Sequence, residues 1–190
     1  TEKIGDRASL LRMLGRIGDN SALAALRAAL ASPEAELRDA AIRALADWPT
    51  PEPIDDLLQV AQTSDNPVHK VLSLRGFVRL LDAPSDRSAE ETVVLYGRAM
   101  DLAPNAVEQK RVLAGLGGAG TLPALRMAAR YLENAALQVE AESAIVRIAQ
   151  AIQDAHRQES HELLVKVIRN TKNDTLREQA QSIIDAAATP

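Results

Sequence analysis

Between Ser32 and Trp48 (SPEAELRDAAIRALADW) the apolar positions Leu37, Ala41, Ile42 and Leu45 fall at i, i+4, i+5 and i+8. That spacing marks one face of a helix with 3.6 residues per turn. Glu36, Asp39, Arg43 and Asp47 take the opposite face. Ser32-Pro33 predicts the start: a side-chain oxygen for the orphan amides, then a residue with φ preset and no N–H to lose. Glu34 and Glu36 suit the positive end of the dipole. Pro49 and Pro51 forbid continuation.

One such helix cannot bury its stripe alone, and the pattern has siblings. With Leu45 as anchor, the equivalent positions are Leu14, Leu45, Leu81, Leu116, Ile148 and Ile184, spaced by 31, 36, 35, 32 and 36 residues. A second apolar helix lies between each pair of anchors, as in Leu23/Leu26/Leu30 and Ile54/Leu57/Leu58/Ala61. A period in the thirties with two helices per unit predicts an α-solenoid. The expected helices cover residues 6–17, 21–31, 32–48, 54–63, 66–81, 93–102, a run ending near 116, one starting at 121, then 137–152 (the longest), 160–169 and 176–187. Ser88 and Glu91 form a capping box, and Pro104, Asn105 and Glu108 repeat its logic. The polar stretch 153–159 breaks the tight spacing. The fold class predicted is all-α: a right-handed solenoid of about five helical pairs after one leading helix, with no strand.

SPEAELRDAAIRALA resembles the second helix of a HEAT-like repeat (the PBS-lyase-type HEAT), in which an acidic or Pro-rich turn precedes a Leu-Arg pair and an Ala-rich run. NDTLREQAQSII (173–184) repeats the form. RALADWPTPEPIDDLLQVA and KRVLAGLGGAGTLPALRMA are similar to HEAT-repeat segments of large bacterial multidomain proteins. The resemblance covers nearly the whole chain and implies a scaffold rather than a reaction. The sequence departs from it at one column: Arg38 is matched by Arg7 and Arg177, whereas Leu74, Gln109 and Ala141 occupy the middle repeats.

Composition sharpens this picture. Hydrophobic residues make up 46% of the chain but aromatics only 2%, so the core is built of Leu, Ala, Ile and Val. Closely packed helices suit that mixture better than a β-sandwich does. The net charge of −4 comes from scattered charges of both signs, which argues against general nucleic-acid binding. Without cysteine there are no disulfides, thiolate metal sites or Cys nucleophiles. No run approaches the ~20 apolar residues of a membrane span. The chain begins at Thr1 rather than Met, and residues 1–190 read as a single repeat domain cut from a longer protein.

Candidate chemistry is sparse. GLGGAG (115–120) fits the dinucleotide fingerprint letter for letter, but that motif works between a strand and a helix. Here it follows a helical run, which predicts a C-cap and tight turn. His156 and His161 with Glu159 and Glu162 are the one cluster with metal-ligand residue types, and a spacing of five on a helix is poor for chelation. No Ser-His-acid set or G-x-S-x-G elbow stands out. No cofactor or metal is expected. Trp48 is read as a packing residue rather than an exposed binding anchor.

The pattern worth following is basic. In HEAT-like solenoids the second helices line the concave side, and there Arg43, Arg75, Arg79, Lys110 and Arg111 make a modest band. Such a band can hold an acidic peptide or loop, with Asp39, Glu108 and Glu142 as the residues that offset it. The leading expectation is a non-enzymatic scaffold that binds a protein partner or neighbouring domains of its parent chain. A catalytic or nucleic-acid-modifying domain of DNA glycosylase or bilin lyase type is the alternative from another class. A purely structural spacer is the third.

Overall fold

The computed structural model describes residues 2–188, and the side chains of 3–187. Among these are eleven α-helices, one 3-10 turn at Asn20–Ala22, and no strand. The chain divides into two compact units, the first made of residues 1–86 and 101–104, the second of 87–100 and 105–190.

The first unit contains α1 (Glu2–Ile17), α2 (Leu23–Leu30), α3 (Ala35–Ala46), α4 (Ile54–Thr63) and α5 (Pro67–Leu81). Pairing is local: α2 lies on α3 and α4 on α5. The second helices also stack directly, α1 on α3 and α3 on α5. Two glycines make that stacking possible. A Cβ at Gly15 would sit 2.5 Å from Ala44 Cα, and one at Gly76 would sit 2.8 Å from Ala46 Cα. The backbones therefore approach closer than any larger residue allows. Leu26, Leu45, Trp48, Leu57, Phe77 and Leu80 are wholly buried around this contact. Trp48 has no exposure, and its indole N–H donates to Thr50 Oγ1 at 3.0 Å, so its role is packing.

The second unit contains α6 (Ala89–Leu102) as far as Met100, α7 (Ala106–Leu116), α8 (Leu122–Ala129), α9 (Gln138–Ile152), α10 (Arg157–Asn170) and α11 (Asp174–Ala188). Again α8 pairs with α9 and α10 with α11, while α9 stacks on α7 and α11. Buried Tyr96 of α6 fills the space over Gly115 of α7, where a Cβ would meet its hydroxyl at 2.9 Å. Leu113, Leu116, Leu125, Leu137, Ile145 and Ile148 complete the core. The order of elements is thus the leading helix and ten more that the spacing predicts; four of the five expected pairs pack along their helices, and α6 meets α7 through Tyr96 over Gly115. Of the six anchors, Leu45, Leu81, Leu116 and Ile148 are buried, whereas Leu14 and Ile184 are half-buried.

Several boundaries differ from expectation, each for a local reason. The Ser32 hydroxyl accepts from the Glu34 amide at 3.2 Å, closing a turn instead of capping, and α3 begins at Ala35. Arg38 fixes that turn by donating to the carbonyls of Ser32 (2.6 Å) and Pro33 (2.7 Å). Arg177 does the same six residues back, to Thr171 O at 2.6 Å. The arginine shared by these two motifs is therefore a turn latch, and buried Leu74 and Ala141 replace it by packing. Helix α10 starts at Arg157, inside the polar stretch 153–159 expected to break the tight spacing of the helices. The longest helix is α1, with 16 residues against 15 for α9. Caps at Asn66, Ser88/Glu91, Asn105 and Thr121 fall where their residue types place them.

Candidate partner-binding face

On the second helices of the first unit, polar chemistry centres on Asp39 of α3. Its carboxylate meets Arg43 Nε at 2.8 Å on the same helix, His69 Nε2 at 3.3 Å on α5, and Arg12 Nη2 at 3.9 Å on α1. One carboxylate thus faces basic groups on three stacked helices. The hydrogen bond from Arg43 holds the Asp39 carboxyl below its ordinary value, against a partial burial that opposes this. The same bond raises the Arg43 guanidinium. His69, which the sequence leaves isolated on a helix face, finds its partner 30 positions away.

The five basic positions separate into distinct roles. Arg43 is exposed but already engaged by Asp39. Arg75 is exposed on α5. Arg79 does not project freely: it donates to Ala46 O at 2.9 Å and to Trp48 O, gathering the open carbonyls at the C-terminus of α3. In the second unit, Lys110 Nζ of α7 lies 3.3 Å from Glu140 Oε2 of α9, outside hydrogen-bonding direction. Arg111 Nε lies 3.5 Å from the buried carboxylate of Glu108. Asp39 and Glu108 therefore offset Arg43 and Arg111 as expected from the sequence. Glu142 instead accepts from Gln138 at 2.8 Å.

A sixth arginine belongs with Arg79. Arg147 of α9 donates to Ala114 O of α7 at 2.9 Å, across 33 positions, the same separation as Arg79 to Ala46. Sequence reasoning missed it because the anchor register slips there; counting 33 residues back from each arginine on a second helix finds both. On the first helices, Arg27 grips Asp56 with two nitrogens, at 3.0 Å and 2.9 Å. Arg126 faces Glu159 at 3.7 Å in the corresponding place.

The remaining motifs resolve into structure. GLGGAG ends α7 with Gly115 and Leu116 and turns over 117–120, with the Gly118 amide donating to Gly115 O and Gly120 at φ +51°. His156 precedes α10 at its N-cap without a side-chain capping bond, and His161 is exposed one turn on. Among the described residues no three or more His, Cys, Asp or Glu side chains gather into a metal-sized group. No described helix is long and apolar enough to cross a membrane.

Among curated proteins none matches the chain. Residues 3–75, most of the first unit, match the family model for HEAT repeats. That match, with helical pairs of the same construction in the second unit, supports a HEAT-like repeat protein.

Proposed function

We propose that this chain is a non-enzymatic scaffold whose second-helix faces bind an acidic segment of a protein partner or of a neighbouring domain in its parent chain. HEAT repeats generally serve as protein-interaction scaffolds. The observation that carries the reading is the state of the cations. The Arg43, Lys110 and Arg111 side chains are 43%, 41% and 50% exposed, each against a carboxylate of its own unit. A partner's carboxylates enter by exchange with the partly exposed Asp39 and Glu140, which can turn back to water, whereas buried Glu108 keeps Arg111. Pairing of this kind leaves little uncompensated positive field for a phosphate backbone. Arg79 contributes through the shape of the α3 terminus rather than as a free charge.

The test places a photo-crosslinking residue in turn at Arg75, at Arg111 and at Gln59 on the first helix α4, in the full-length protein. The reading expects crosslinks from 75 or 111 to carboxylate-rich peptides, lost with Arg43→Glu or Lys110→Glu and weakened by added salt. Crosslinks confined to position 59, or tight low-salt binding to duplex DNA, overturn it.

A further inference from the structure

We infer that a further first helix, joined to α1 by chain ahead of Thr1, packs into the open groove between α1 and α2. The groove holds about 610 Å³ and is lined by Arg7, Leu10 and Leu11 of α1 and by Ala25, Ala28 and Ala29 of α2. Alanines along one wall let a helix backbone come close, and leucines along the other give it apolar area to cover.

The next groove along shows what fits. A shift of 31 residues carries Leu14 onto Leu45, Leu23 onto Ile54 and Leu26 onto Leu57, so α1 and α2 correspond to α3 and α4. The counterpart groove is occupied by α2, which packs on α3 and is tied to α4 through Arg27 and Asp56. With α1 and α2 in place, Ala41, Ala44 and Trp48 of α3 are buried. Their counterparts on α1 are Leu10, Met13 and Ile17, all more than half exposed. A helix that ends a repeat array turns a polar face outward. The outer face of α1 is apolar, as on a helix inside an array.

Arg7 says where the occupant comes from. Arg38 and Arg177 stand in its column, and each donates to the carbonyl six residues back, closing the turn from a first helix to a second. Arg7 brings the same latch to α1, so the helix it fastens precedes α1 in the same chain. Leu23, Leu26 and Leu30 lie 9, 6 and 2 residues before Ser32, the counterpart of Thr1. The new helix is therefore expected to place Leu, Ile, Val or Met 9, 6 and 2 residues ahead of Thr1.

Reading the coding sequence ahead of Thr1 is the first test; polar residues at two of those three positions, or no residues there, overturn the inference. The second uses the absence of cysteine from the chain. Leu10→Cys and Val94→Cys replace side chains that are both 58% exposed, and each is alkylated with iodoacetamide in the 190-residue chain and in the full-length protein. Leu10→Cys should react at least about tenfold more slowly in the full-length protein, and Val94→Cys at about the same rate in both. Equal rates at position 10 overturn the inference. So does slowing of Leu10→Cys with rising concentration of the 190-residue chain, because a second copy is then the occupant.

Discussion

The two units solve one problem with different side chains. In the first, neighbouring second helices are joined through the shared carboxylate of Asp39; in the second, Lys110–Glu140 joins α7 to α9 while Arg111–Glu108 stays within α7. Beneath that difference two contacts recur by position. An arginine reaches the carbonyl 33 residues back, Arg79 to Ala46 and Arg147 to Ala114. An arginine in the last turn of a first helix meets a carboxylate in the first turn of the next, Arg27 to Asp56 and Arg126 to Glu159. Stacked repeats keep the contacts that reach backbone or helix ends. Those that join one surface side chain to another drift.

The comparison breaks first at the core. Leu45→Ala and Leu113→Ala, each fully buried in its own unit, should both cost about 2–5 kcal/mol in urea titrations. A loss below about 1 kcal/mol at either would mean that its unit is loosely packed.

Close approach should give the next effect. Gly15→Ala, whose added Cβ meets backbone at 2.5 Å, is expected to destabilise by roughly 1–3 kcal/mol despite better helix propensity. Gly97→Ala, with open space around it, should stabilise by about 0.5–1 kcal/mol. Equal signs in thermal melts would remove the close-contact account of α1 on α3.

The recurring arginines come third. Arg79→Ala loses bonds to two carbonyls and should cost about 1–2 kcal/mol, Arg147→Ala with one bond about half that. A charge-preserving Lys in either place should recover part, since each arginine donates from a single nitrogen, but an ammonium is more strongly hydrated than a guanidinium.

The smallest effect belongs to the surface pairs. Arg43→Ala should change stability by less than about 0.5 kcal/mol at neutral pH. Asp39 has a folded pKa below its ordinary 3.8, so the unfolded chain binds the proton more readily. Its contribution is full above about pH 4 and is lost as pH falls through the lowered folded value. The gap between wild type and Asp39→Asn should therefore close on acidification; a gap that widens below pH 4 contradicts the pairing.

The helices were legible because apolar spacing and caps act locally: residues 54–63 and 66–81 need nothing beyond their own sequence. The start of α3 was not, because Arg38 reaches back over the turn and takes carbonyls that a cap reading ignores. The basic band was legible as positions on second helices but not as chemistry. Whether an arginine faces solvent, a carboxylate or a helix end depends on the neighbouring repeat, as Arg43 and Arg79 show. Partners such as His69 and Asp39 sit on different helices at a separation shorter than the repeat, so no single-helix pattern announces them.

Trp48 is the chain's one tryptophan, and it lies wholly buried in the first unit beneath the carbonyl that Arg79 holds. Its indole is therefore a native optical reporter for that half alone, since the two tyrosines, Tyr96 and Tyr131, both belong to the other. Following its emission beside far-ultraviolet dichroism during unfolding separates the melting of one half from that of the whole. Coincident curves would describe one cooperative folding block, and displaced curves two.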